Sequence, residues 1–349
     1  MMDWLDQKQR HEVIVQMLSP THLDAVIGEL DGVDLSGSSV SASYSTDTRT
    51  SGRLRVVGTG YIRNSWLRIV VRYPDSGYER ELGTYVVAGE PFKLQGQVYD
   101  YELQSLLWAY SQDECAYPLT VGEGAWAMAA AEYEIGSYYE SDFSKAKDVK
   151  LAEAVTYESG TNRLRRLYDL CSMAGNRPDV NGHGTFYALP EDMAVTPEYT
   201  IGINDARGIS HGDVERESDF QTRPNRAGVS YSWNDDGEHR LYSHADATGD
   251  IAPDARGYVV TDLHTEENMD PPTQARADEI ARNMVSEFRE TVTWTLESRY
   301  LPIWEGDWVY LDVGDKDPIY SGVRTCIVDS IDMDLLHLDM RLTLKEYLS

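Results

Sequence analysis

From Thr291 to Tyr347 the chain alternates apolar and polar residues with few breaks, and this pattern constrains the fold more than any other stretch. Val292, Trp294 and Leu296 alternate with Thr293, Thr295 and Glu297. Trp308, Tyr310 and Asp312 fall on one side of a second run, and Val309, Leu311 and Val313 on the other. Arg324 to Ser330 and Leu336 to Leu344 alternate again. A period of two belongs to strands with one buried face. Four or five such strands, joined by short turns at Gly and Asp, make a small antiparallel sheet that curls into a barrel. Nothing in the stretch reads as a catalytic loop. It is a packing element, and the rest of the chain must supply what it packs into.

At 349 residues the chain is long enough for two or more domains with sizeable cores. It carries 59 acidic against 31 basic side chains, a formal net charge of -28. A duplex-binding surface needs the opposite sign, so specific nucleic-acid binding is disfavoured. An acidic wall can still serve nucleic acid by not adhering to it. Tyr outnumbers Phe by 23 to 5, which suits half-wet sheets and interfaces. Cys115, Cys171 and Cys326 lie far apart without metal-ligand spacing, and they read as free thiols rather than a disulfide framework. The polar start shows no secretory signal, and no apolar run approaches the ~20 residues of a membrane span. The expectation is a soluble protein made in a reducing cytoplasm.

Three regions follow in order. Residues 1–110 form an N-terminal arm and a first antiparallel β-barrel, with His11 to Leu18 as a strand and Pro74 to Gly77 (PDSG) as a hairpin turn. Residues 36–51 are a polar loop or a polar strand running into a turn. Residues 111–205 form an α+β insert. Its first helix is expected over Leu119–Gly136, with Thr120 as cap and Glu123 completing a capping box. Its second covers Asn162–Ala174, stopped by Gly175. Residues 206–349 form a second β-barrel, with a polar loop or hairpin tip over 234–257 and a helix over 271–290. Asp270-Pro271 opens that helix, and Ala277, Ile280, Ala281, Met284, Val285 and Phe288 form its core face. Residues 81–107 and 320–344 share a strand–turn–strand plan, weak evidence of a duplication.

No residues assemble into a catalytic, cofactor-binding or metal-ligating set. His183 (NGHGTFY) and His211 (SHGD) sit among Gly, Asn and Asp, and read as surface turns. They bind a metal only if the fold brings them together. Asp235, Asp236 and Gly237 lack the alternating acids of a calcium loop. Trp294, Trp304, Trp308 and Tyr310 are expected in barrel core or subunit interface rather than as a sugar-stacking platform. The acids from Asp329 to Asp339 alternate with apolar residues, the pattern of a solvated strand face.

Several phrases carry a resemblance. ELGTYVVAGEPF from Glu81, YELQSLLWAY from Tyr101 with YPLTVGEGAWAMA from Tyr117, and PIWEGDWVYLDV from Pro302 with SGVRTCIVDSI from Ser321 are similar to strands of the bacteriophage tail-tip or baseplate hub family. The likeness covers most of residues 33–349. It implies two related tail-tube-like barrels and a homotrimer whose six barrels form a pseudo-hexameric ring. That ring caps the tail tube and lets genomic DNA pass through an acidic lumen without specific binding. The implied partners are a distal-tail or tail-tube ring above and tail-fibre or tip proteins below, in the virion tail tip. No cofactor and no catalysis are implied. The alternatives are a receptor- or carbohydrate-binding tail protein, and a virion-associated peptidoglycan hydrolase. The hydrolase would need a paired-carboxylate or Cys/His constellation.

Overall fold

The computed structural model describes residues 10–58, 62, 66–89, 91–93, 96–136, 139–191, 196–197, 199–203, 210–234, 238–267 and 273–348. The chain divides into two compact units. One comprises Met1–Val214 with Leu296–Leu344, the other Glu215–Thr295 with Lys345–Ser349.

The larger unit begins with strands β1 (Glu12–Ser19), β2 (His22–Glu29), β3 (Val33–Ser43), β4 (Thr50–Val57), β5 (Trp66–Tyr73), β6 (Tyr78–Gly89), β7 (Phe92–Lys93) and β8 (Val98–Ser105). The expected strand at His11 to Leu18 is β1, and PDSG closes the β5–β6 hairpin with Gly77 at φ 69. The polar stretch 36–51 is mostly strand, with a turn between β3 and β4. β5 is buried along nearly its whole length, so its sequence WLRIVVRY is a near-continuous apolar run rather than an alternation. Ser105 ends β8 and caps helix α1 (Leu106–Ser111), accepting from the Trp108 amide.

The insert follows as β9 (Leu119–Val121), α2 (Ala127–Ile135), β10 (Ser141–Asp142), β11 (Val155–Tyr157), α3 (Arg163–Met173), β12 (Asn176–Val180) and β13 (Phe186–Pro190). α3 matches its sequence signals: Asn162 accepts from the Arg165 amide at 2.7 Å, and Gly175 leaves the helix at φ 68. The first helix does not begin where expected. Leu119–Val121 is a strand paired with β11, and the Thr120 hydroxyl meets that of Thr156 at 2.9 Å instead of capping. Gly122 and Gly124, the latter at φ 77, separate this strand from the Ala-rich run, so the helix starts only after Trp126. α1, α2 and α3 pack with Leu18 of β1 and Trp66 of β5 into one apolar cluster, which fixes the insert on this part of the sheet.

Two strands, β14 (Tyr199–Gly202) and β15 (Ser210–Ser218), lead toward the smaller unit. That unit contains β16 (Arg226–Asn234), β17 (Glu238–Asp246), helix α4 (Pro253–Arg256), β18 (Thr261–Glu267) and α5 (Gln274–Glu287). β16 pairs antiparallel with β17 and parallel with β18. Ala277 and Ala281 of α5 pack on Val229 and Tyr231, with Ile280 and Met284 beside them. Thr273 caps α5, while the expected start at Asp270-Pro271 lies outside the described residues, as do Asp235 to Gly237. The polar stretch expected as a loop or hairpin tip over 234–257 holds the second strand of the β16–β17 hairpin, nine residues long, and the short α4. Its alternation rests on only Leu241 and Ala245 facing α5, too little apolar content to stand out among charged neighbours.

The chain closes with β19 (Glu290–Ser298), β20 (Trp308–Asp312), β21 (Val323–Asp334) and β22 (Met340–Leu348). The protein is mainly β, with its helices in smaller layers, as the alternation implied. Within the larger unit the main sheet runs β21-β3-β4-β8-β6-β5-β1-β2. β21 pairs antiparallel with β3 from Ser330↔Ser43 to Asp334↔Ser39, so the early and late strand sets are hydrogen-bonded to each other. β14 joins β20 in parallel.

Candidate functional site

Inside the larger unit, two turns and the β12–β13 pair converge on a cavity of about 180 Å³. Tyr44 and Arg49 come from the β3–β4 turn, Arg177 and Asp179 from β12, Tyr187 from β13, and Glu305 to Trp308 from the turn into β20.

Local geometry builds each wall. Arg49 closes its turn in the left-handed region, φ 60, uncommon for a residue with a side chain. Its carbonyl accepts from Ser43 at 2.8 Å, and its guanidinium donates to the Tyr44 carbonyl at 2.6 Å. Arg177 stacks 3.7 Å from the Tyr44 ring centroid and also donates to the Tyr44 carbonyl. Opposite, Asp307 accepts from the Trp304 amide at 2.6 Å, and Gly306 donates to Val328 at 2.8 Å. Gly306 sits at φ 84, and a Cβ there would lie 3.0 Å from the Tyr44 ring, so glycine answers both demands.

Arg49 and Glu305 at the centre are buried, and Asp179 between them is half-buried. The Arg49 side chain is 2% exposed and that of Asp179 16%, with 3.9 Å between Nε and Oδ2. Glu305 is 7% exposed, and its Oε2 has no hydrogen-bond partner. Burial, and then the neighbouring Asp179, hold the Glu305 carboxyl well above the usual carboxylate range. Burial also raises Asp179, against the pull of Arg49. Burial raises the Tyr187 phenol too, and Asp179 adds to that rise. The cluster is a polar junction between three segments distant in sequence. Its two acids, Asp179 and Glu305, share the neighbourhood of one buried arginine, Arg49.

The aromatic candidates separate. Trp294 is 2% exposed. Trp304, Trp308 and Tyr310 are half-buried, and Trp308 lines the cavity. In β20 it is Val309 and Leu311 that point into the core. His183 lies between Glu81 and Asp24, whereas His211 lies 3.8 Å from Glu297, so the two histidines serve different partners. Among the acids from Asp329 to Asp339, Asp332 accepts from Ser41 at 2.6 Å, and Asp334 caps its turn by accepting from the Leu336 and His337 amides. Cys171 and Cys326 are buried free thiols, Cys115 is half-buried, and burial pushes the Cys171 thiol up to about 12. Arg49, Asp179 and Glu305 were not singled out in the sequence. Arg49 and Asp179 stand in polar turn-like contexts, and the signal lies at Glu305, an acid between Trp304 and Gly306.

No family model matches the sequence, and no curated protein matches it either. Solved structures do match. The tail protein from Neisseria meningitidis MC58 is similar over 96% of both chains, with TM-score 0.65 and 14% identity. The 43 kDa tail protein of prophage MuSo2 from Shewanella oneidensis covers 96% of this chain and 98% of its own, with TM-score 0.61 and 10% identity. A prophage tail protein from Listeria monocytogenes EGD-e covers 96% and 94%, with TM-score 0.55 and 12% identity. The chain has the fold of phage tail proteins.

Proposed function

We propose that this chain is a structural protein of a phage tail tip, a baseplate hub that works by packing and not by catalysis. The observation that carries the reading is the extent of the likeness: 96% of the chain follows the fold of each of three tail proteins. In this reading the chain forms a homotrimer. Residues 1–110 and 206–349 each contribute to a pseudo-hexameric ring, with the 111–205 insert between them. The ring caps the tail tube, binds a tail-tube or distal-tail ring on one side and tip or fibre proteins on the other, and passes DNA during ejection.

Two features support assembly. β2 is an edge of the main sheet and presents Val26 and Ile27, 47% and 60% exposed. An apolar edge with no further strand beside it among the described residues is a template for a neighbouring chain. Trp304, Trp308 and Tyr310 offer half-buried aromatic surface of the kind enriched at interfaces. A net charge of -28 suits a lumen that repels phosphates. The test is mass by light scattering, with negative-stain imaging of the purified chain alone and with tail-tube protein. Trimers or rings at the tube end are expected. A chain that stays monomeric in both settings would overturn the reading.

A further inference from the structure

Within the larger unit, the Asn181–Gly184 turn is pressed against β6. A Cβ on Gly182 would lie 2.2 Å from the Glu81 carbonyl oxygen, so only glycine fits. Thr84 donates to the Gly182 carbonyl at 2.9 Å. Arg68, 3% exposed, donates to the carbonyls of His183 at 2.6 Å and Leu23 at 3.0 Å. A buried arginine thus fixes the backbone that carries His183. The imidazole is fixed as well: Nδ1 lies 2.9 Å from Glu81, and Nε2 lies 3.0 Å from Asp24. Glu140, arriving from the segment after α2, completes a group whose ligand atoms on Asp24, Glu140 and His183 all lie within 4.8 Å of one another. Three carboxylates therefore surround one imidazole, with Arg68 as the compensating cation on the Glu81 side.

We propose that Asp24, Glu140 and His183 bind a divalent transition-metal cation. His183 would ligate through Nε2, while Glu81 accepts from Nδ1–H and fixes the tautomer, the common outer-shell arrangement of a metal-bound histidine. One imidazole nitrogen and two carboxylate oxygens suit Zn²⁺ or Mn²⁺ better than a hard all-oxygen cation such as Ca²⁺. Asp24 and Glu140 are exposed, so side-chain rotation closes the remaining distance to the ion. The ion would join the edge strand β2, the segment after α2 and the 181–184 turn, which are distant in sequence. The proposal stands independently of the tail-tip reading.

The experiment uses the full chain stripped with a chelator, titrated calorimetrically with Zn²⁺ and separately with Mn²⁺, with melting followed in parallel. One ion per chain and a raised Tm are expected. E140Q and H183Q should each weaken binding at least tenfold, E81Q about tenfold through lost orientation, and His211→Gln not at all. Glu140 is exposed, and among the described residues its side chain accepts a single hydrogen bond, from the Thr185 hydroxyl at 3.4 Å, so E140Q tests ligation with little disturbance of the fold. Nitrogen NMR of His183 should show Nε2 without its proton once the ion is bound. Absence of saturable binding, unchanged binding in E140Q and H183Q, or an imidazolium with both protons in the presence of metal would each overturn the proposal. The last would show His183 as a proton-bridged clasp between Glu81 and Asp24.

Discussion

One carboxylate oxygen of Glu134 accepts two hydrogen bonds from Arg166, from Nε at 3.0 Å and Nη2 at 2.8 Å. The two side chains are 4% and 6% exposed, and they join α2 to α3. Removing one partner leaves the other charge buried and unpaired. Glu134→Ala should therefore cost about 3–5 kcal/mol in a urea titration, while a paired Glu134→Leu/Arg166→Met change should recover most of that loss.

Glu305 gives a pH dependence of one sign. Its folded carboxyl is held well above its unfolded value of 4.5. The stability tied to its neutral form is fully present below that unfolded value and is lost as pH rises through the folded one. Glu305→Gln should flatten this decline, leaving the variant at least as stable as the parent at neutral pH. Melting temperatures of both proteins across the acid-to-neutral range check it, and parallel curves would show that Glu305 does not titrate as described.

Asp100 gives the opposite sign. Burial pushes its carboxyl up, but contacts to Arg55 at 2.8 Å, Lys93 at 2.9 Å and Arg53 at 3.0 Å outweigh that and hold it well below 3.8. Its contribution is present above 3.8 and is lost as pH falls toward the folded value. Asp100→Asn should cost about 1.5–3 kcal/mol at neutral pH, and less in strong acid.

Trp294 and Trp308 should behave differently. Trp294 is 2% exposed, so Trp294→Ala should cost about 3–5 kcal/mol. Trp308 is half-buried beside the cavity, so Trp308→Ala should cost the isolated chain less and show its main effect on oligomer mass. Denaturant titration and light scattering of both variants separate the two effects.

Gly182→Ala should lift the 181–184 turn from β6, because its Cβ meets backbone rather than a movable side chain. Lower thermal stability and loss of His183's restricted ring signals are expected. An unchanged protein would show that the turn sits further from Glu81 than described.

Regular, locally encoded elements were legible: the period-two strands, the PDSG hairpin, and α3 with its Asn162 cap and Gly175 stop. The first helix of the insert is less so: its Ala content suggests a start at Leu119, and Gly122 and Gly124 delay it to Ala127. β17 was hidden because a strand with two apolar contacts is periodic only once its partner helix is known. The charged junction is illegible for a related reason: Arg49, Asp179 and Glu305 look like solvated polar residues until two turns and strand β12, distant in sequence, enclose them.

The sequence by itself determined a mainly β protein, strongly acidic, with helices set between strand sets, because alternation, capping and charge are local properties of neighbouring residues. Tertiary structure alone decided that β3 pairs with β21, that Glu305 loses its water, and that Asp24, Glu140 and His183 meet. Each of these depends on contacts between segments many tens to hundreds of residues apart. Hydrogen bonding and desolvation act on whatever lies within a few ångströms, and the sequence does not record those distances.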